Sequence, residues 1–190
     1  HTHSEFSPDG RMTMEEAVES SLAKGLGGIS FTDHFDVEAP GDNSHFSFDP
    51  LEQQDKIDKL KSREGFFIGK GIELGLQPSA IYQCIAGYDD FDILGHFDYI
   101  TRYSPYLNKS LTMKEYGDYL DPILRHLAYR GKALEINTNT YRVRNGSSPV
   151  LDNAVIRHFR QIGGELVTLG SDAHDYQRVG EGLEEAARLL

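Results

Sequence analysis

Gly28-Ile29-Ser30-Phe31-Thr32-Asp33-His34 is the stretch on which the fold turns. Gly28 to Thr32 reads as a buried strand, and the run stops on a carboxylate and an imidazole. The same pattern recurs down the chain. Phe66 to Ile72 reads as a strand with Glu73 at its end. Phe91 to Leu94 is followed at once by Gly95-His96. Ala133 to Ile136 contains Glu135 and ends near Asn137, and Glu165 to Leu169 runs into Gly170-Ser171-Asp172-Ala173-His174.

Helical signals fill the intervals. Thr13-Met14-Glu15-Glu16 is a capping box, Met14, Val18 and Leu22 supply the apolar stripe, and Gly25 stops the helix. Asp49-Pro50 with Glu52 opens a helix to about Arg63, and Ser79 to Ala86 reads as another. Thr112 to Glu115 is a second capping box whose helix runs to Arg130, with Pro122 a point where it can kink. Further helices are expected from about Pro149 to Ile162 and from Glu181 to Leu190. This β-α alternation predicts an α/β fold with a parallel sheet or an α/β barrel, where sites form beyond the carboxyl ends of the strands. His34, Glu73, His96, Asp172 and His174 fall at those exits, so residues scattered in sequence converge in space.

His1-Thr2-His3 adds two imidazoles on one face of an extended segment, with Asp9 six residues on. Alone, the pair could be surface histidines at a frayed terminus or the remnant of a tag. With the strand-end residues it becomes part of a ligand set of histidines and carboxylates without thiolates, which suits Zn, Mn or Fe(II). The set exceeds what one ion needs, and a carboxylate such as Glu73 can bridge two ions. Sites with ions about 3.5–4 Å apart clamp phosphoryl groups and generate a hydroxide near neutral pH. Three divalent ions would turn the carboxylates of Asp9, Glu73 and Asp172 into a pocket of about +3, attractive to a phosphate dianion. Arg102 and Arg142 follow strand ends and could hold phosphate oxygens as two-pronged donors.

Composition sets the limits. The 190 residues, 38% hydrophobic and 26% charged, suit one soluble globular domain, 1–190. No run approaches the roughly 18 apolar residues of a membrane span. Cys84 is the lone cysteine, so there is no disulfide framework, and a reducing, cytoplasmic setting is expected. A net charge of −11 argues against a nucleic-acid partner. The chain opens at His1 rather than Met, and residues of the native chain are expected to be missing from its front.

The stretches His1 to Gly10, Phe31 to His34, Gly71 to Gly75, Gly95 to Ile100, Leu134 to Thr138 and Gly170 to His174 together resemble the successive motifs of the PHP (polymerase and histidinol phosphatase) superfamily, and its histidinol-phosphatase branch in particular. The resemblance spans nearly the whole chain. It implies a distorted (β/α)7 TIM-like barrel and a trinuclear metal centre at the carboxyl ends of the strands. It also implies hydrolysis of L-histidinol phosphate, a small phosphomonoester of histidine biosynthesis, to L-histidinol and phosphate. By it, His1, His3, Glu73 and Asp172 bind one ion, and Glu73 bridges to a second that His96 also binds. Asp9, His34 and His174 bind the third. His34, Glu73, Asp172 and His174 are the residues expected at the chemistry. Asp9 stands where several other branches carry histidine, as in the histidinol-phosphatase branch.

One departure stands out. The family carries a longer segment between its Glu73 and His96 motifs, with a histidine that also binds the second ion. Here Gln77-Pro78 passes directly to Ser79-Ala80-Ile81, and no histidine lies between residues 46 and 95. A loop missing from the chain, or a reduced second site, accounts for this. The substrate's imidazole and amine are expected against Tyr99, Tyr103 or Tyr106, with Glu5 near the amine. Asp33 and Glu135 could orient ligands, or simply be strand-end polar groups. His126 and His158 read as structural residues on helices, and His45 lies in a loop that could cover the site. The rival functions are a PHP phosphoesterase for another small phosphomonoester, a nucleotide or a DNA end, and a non-catalytic metal-binding protein with a degenerate site. The sequence names neither the metals nor the oligomeric state.

Overall fold

The computed structural model describes residues 1–35, 48–61, 65–73, 81–87, 90–99, 101, 110–143 and 152–190. Arg102, Tyr103, Tyr106, His45, the Gln77–Ala80 junction and the Pro149 helix start lie outside the described residues, as does the side chain of Cys84. Two compact units emerge, residues His1–Gly75 with Gly170–Leu183, and residues Leu76–Leu169 with Glu184–Leu190.

In the first unit, α1 (Met14–Ala23) starts at the capping box read from sequence. The Thr13 side chain accepts from the Glu16 N–H, and the Glu16 carboxylate accepts from the Thr13 N–H. Met14, Ala17 and Val18 point into the core, so the cap anchors a buried helix face. Thr13→Ala is expected to cost about 1 kcal/mol in chemical denaturation, and a loss under ~0.3 kcal/mol would remove the cap from the account.

β1 (Gly28–His34) and β2 (Phe67–Glu73) pair in parallel from Gly28↔Phe67 to His34↔Glu73. Both strands run further than the apolar pattern suggests, taking in His34 and Glu73 as their last residues. The register therefore sets these two side by side at one sheet edge. β1 alternates, sending Ile29, Phe31 and Asp33 to the buried side. Thr2 bridges in parallel to both Phe31 and Ala173. The Thr32 N–H donates to the Thr2 carbonyl and the His3 N–H to the Ala173 carbonyl, each at 2.9 Å. The opening residues thus lie between β1 and the Asp172–His174 turn. α2 (Pro50–Leu60) buries Gln53, Ile57 and Leu60. The core gathers Met14, Val18, Phe31, Ile57 and Ile68 around Ala173.

The second unit holds α3 (Ile81–Gly87), β3 (Ile93–Leu94), α4 (Met113–Arg130), β4 (Ala133–Asn137), α5 (Asn153–Gln161) and most of β5 (Val167–Gly170). Its sheet has the order β3-β4-β5, with β3 and β4 parallel. Every residue of β4 is buried, as a central strand covered on both faces requires. α4 passes through Pro122 without a break and ends at Gly131, whose φ of 64° suits a residue without Cβ. Leu124, Leu127, Leu134, Val155 and Phe159 form this unit's core. A 3-10 turn at Tyr176–Arg178 precedes the final helix, which is shorter than the expected Glu181–Leu190 and spans α6 (Leu183–Ala187). The described residues make a mixed α/β fold.

Candidate metal centre

Seven of the eight ligand candidates read from sequence belong to the first unit: His1, His3, Asp9, His34, Glu73, Asp172 and His174. They form two overlapping donor sets whose atoms lie within 4.8 Å of one another, His1, His3, Glu73 and Asp172 in one, and His3, Asp9, His34 and His174 in the other. His3 is common to both sets. The β1–β2 register supplies His34 and Glu73, the Thr2 bridges supply His1 and His3, and the turn after β5 supplies Asp172 and His174.

Glu73 Oε2 lies 3.1 Å from Nε2 of His1 and 3.1 Å from Nε2 of His3, while its Oε1 is 3.8 Å from Nδ1 of His34. One carboxylate thus turns an oxygen toward each donor set. Asp172 Oδ1 is 3.2 Å from His3 Nε2 and 3.7 Å from His1 Nε2. Asp172 takes a left-handed φ of 49°, unusual for a residue with Cβ, and its N–H donates to the His1 carbonyl at 3.0 Å. The rings of His3 and His174 stack with centroids 4.0 Å apart.

His174 Nδ1 meets the Asp172 carbonyl at 3.0 Å, and its Nε2 faces Asp9 Oδ2 at 3.2 Å. Burial alone would raise the Asp9 carboxyl, but hydrogen bonds and charge from His174 and His34 hold it well below the usual carboxylate range. Burial likewise opposes the charged form of His174, yet Asp9 and Asp172 raise its pKa above the ordinary histidine value.

The geometry fits cations. Nε2 of the fully buried His3 makes no hydrogen bond among the described residues, although two carboxylate oxygens approach within 3.2 Å. A buried imidazole nitrogen set against carboxylates but off the hydrogen-bond line is the arrangement of ligands around an ion. Nitrogen and oxygen donors without sulfur match Zn, Mn or Fe(II).

The remaining predicted residues belong to the second unit. His96 follows β3, its N–H donates to Glu135 Oε2 at 2.8 Å, and its ring lies 4.9 Å from that of Tyr99. Glu135 is therefore an orienting partner of the His96 backbone. Arg142 follows β4 and is half-buried. Glu5 receives the Met14 N–H at 2.8 Å and pairs with Lys56, so its carboxylate serves the start of α1. His158 pairs with Asp121 at 2.6 Å, in keeping with a structural role.

Some participants escaped the sequence. Arg11 and Arg178 line a cavity of about 330 Å³ with Asp9, His174 and Asp175. Ser7 and Gln53 hydrogen-bond Asp33 behind the ligands. Gln53 carried a usable signal, since it shares the helical face of Ile57 and Leu60, where a polar residue is out of place. Ser7 carried none. In the second unit, buried Asp98 accepts from the Tyr141 hydroxyl at 2.9 Å, and burial pushes its carboxyl up.

Fold and site together define a mixed α/β protein with a histidine–carboxylate donor cluster suited to metal ions. The PHP domain model matches residues 1–86. Over its full length the chain is 27% identical to a protein named probable histidinol-phosphatase from Clostridium acetobutylicum, spanning 91% of it. It is 26% identical to histidinol-phosphatase from Lactococcus lactis, spanning 88% of that protein. A crystal structure of the Lactococcus lactis histidinol phosphate phosphatase, complexed with zinc, L-histidinol and phosphate, superposes with a TM-score of 0.79. That match is 25% identical and covers 100% of this chain and 90% of the other. The fold is also shared with a Listeria monocytogenes structure at a TM-score of 0.63 and 16% identity, covering 97% of this chain and 98% of that one. The first 86 residues thus match the PHP domain, and the chain as a whole is similar to proteins named histidinol-phosphatase.

Proposed function

We propose that this protein is a metal-dependent phosphomonoesterase that hydrolyses L-histidinol phosphate to L-histidinol and phosphate. The observation that carries it is the double donor set around His3, in a chain similar from end to end to proteins named histidinol-phosphatase. A (β/α)7 barrel made by residues 1–190 as one domain, in a cytoplasmic biosynthetic setting, accompanies this reading. The full-length likeness to the zinc-, histidinol- and phosphate-bound Lactococcus structure supports it.

In this reading His1, His3, Glu73 and Asp172 hold one divalent ion, Glu73 and His96 a second, and Asp9, His34 and His174 a third, of Zn, Mn or Fe. When bound, such ions lower the pKa of water and meet the charge of phosphoryl oxygens. The residues supply the geometry. Glu73 divides its oxygens between the donor sets. The Asp172 carbonyl holds Nδ1 of His174, which turns Nε2 toward Asp9, where the two would hold an ion together. Arg142, and Arg102 outside the described residues, are assigned to phosphate oxygens.

The test is phosphate release from a panel of histidinol phosphate, nucleoside monophosphates and p-nitrophenyl phosphate, with zinc, manganese or iron added. Histidinol phosphate is expected to give the highest kcat/KM, by at least about tenfold, equivalent to about 1.4 kcal/mol of transition-state preference. A nucleotide preferred over it would move the specificity to the rival phosphoesterase reading. No turnover with any metal would favour the degenerate one.

A further inference from the structure

We propose that Asp33 and Ser7 are positioning residues that hold the His3 imidazole with its proton on Nδ1, so that Nε2 offers a bare lone pair to both donor sets. The inference rests on the metal-centre reading above and concerns residues that bind no ion themselves.

The argument is a proton count. Asp33 is fully buried on the core side of β1. Its Oδ1 accepts from the Ser4 N–H at 2.6 Å and from the Ser7 hydroxyl at 2.9 Å. Its Oδ2 accepts from the Ser4 hydroxyl at 2.9 Å and from the Gln53 amide at 2.9 Å. Four donors fill the acceptor capacity of an ionised carboxylate. The single proton of the Ser7 hydroxyl is thereby committed to Asp33, leaving Ser7 Oγ only as an acceptor. It accepts from the His34 N–H at 3.0 Å. Its other contact, with His3 Nδ1 at 3.0 Å, is then an Nδ1–H donating to Oγ.

The consequence falls on the opposite ring nitrogen. With its proton on Nδ1, His3 turns Nε2 toward Glu73 Oε2 at 3.1 Å and Asp172 Oδ1 at 3.2 Å. Three electron-rich atoms converging in a buried place repel one another until a cation lies among them. The chain Gln53–Asp33–Ser7–His3 runs from α2 through β1 into the ligand shell. Through Ser7 and the His34 N–H, the same hydroxyl also touches the second donor set. Partners of this kind behind metal-binding histidines typically contribute 10–100-fold in metal affinity.

The experiment uses the full chain, stripped with chelator and then titrated with zinc by calorimetry. Histidine 15N NMR of the stripped wild type reads the tautomer directly. The His3 proton is expected on Nδ1 in the wild type. Ser7→Ala is expected to bind zinc 10–100-fold more weakly. Asp33→Asn, which frees the Ser7 proton to point at His3, is expected to move the His3 proton to Nε2. If Asp33→Asn does not fold, the wild-type tautomer and the Ser7→Ala titration decide the matter. A wild-type His3 protonated on Nε2, or a Ser7→Ala chain with a lower melting temperature but wild-type zinc affinity, would overturn the proposal and leave the network a loop staple. Hydrolysis of histidinol phosphate is scored separately. A chain that shows the tautomer and the zinc effect but no hydrolysis would refute the substrate assignment and uphold this one.

Discussion

Glu73→Gln is expected to lower kcat/KM for histidinol phosphate by at least about 10³-fold, some 4 kcal/mol of transition-state stabilisation. The substitution keeps the shape and removes the charge. In the native chain Oε2 lies 3.1 Å from both His1 and His3, and Oε1 turns to His34. An amide would put a donor where one of those oxygens now faces imidazole nitrogens, and would remove the charge from the carboxylate proposed to bridge two ions. The loss should appear mainly in kcat, with metal content per chain falling together with activity when measured by plasma mass spectrometry. Activity within tenfold of the wild type, at unchanged metal content, would exclude Glu73 from a bridging role.

Gly10→Ala is expected to damage stability and site together. A Cβ at Gly10 would lie 1.9 Å from the Ser4 carbonyl oxygen and 2.7 Å from its carbon. These are backbone atoms of the same tight loop, in which Ser7 N–H donates to the Ser4 carbonyl and Gly10 N–H to the Ser7 carbonyl, each at 3.0 Å. No rotamer relieves the overlap, so the loop must open. That loop carries Ser4 and Ser7, which bind Asp33, and Asp9, which faces His34 and His174. A cost of about 3 kcal/mol is expected, near the upper end for overpacking. For a chain of this size it corresponds to roughly 6–12 °C in Tm. Zinc binding by the Asp9 donor set should weaken in parallel. Gly27→Ala, where a Cβ would meet nothing within 4 Å, is the matched control and should stay near the wild type. Melting of Gly10→Ala within about 2 °C of the wild type would mean the loop accommodates the methyl group.

Much of the site was legible in the chain because parallel α/β folds deliver strand ends to one edge. His34 and Glu73 needed only an apolar run and its stopping point, and the capping box at Thr13 announced α1 from local chemistry alone. The partners of Asp33, itself a candidate for orienting ligands, were hidden for the opposite reason. Asp33 is one residue from His34, yet the strand's alternation sends it to the core, where Ser4, Ser7 and Gln53 reach it from two other segments. Arg11 and Arg178 border a cavity beside Asp9 and His174 although they lie far apart along the chain. Glu5, expected near a substrate amine, accepts from the Met14 N–H and pairs with Lys56.

Local pattern, then, settled the element types, the β-α alternation and the identity of the strand-end residues, since periodicity and caps act over a few neighbouring residues. Pairing register, the sharing of His3 between two donor sets and the direction of its proton were decided in three dimensions. Each depends on contacts between segments remote in sequence, and a hydroxyl's single proton is assigned only when all its neighbours are in place.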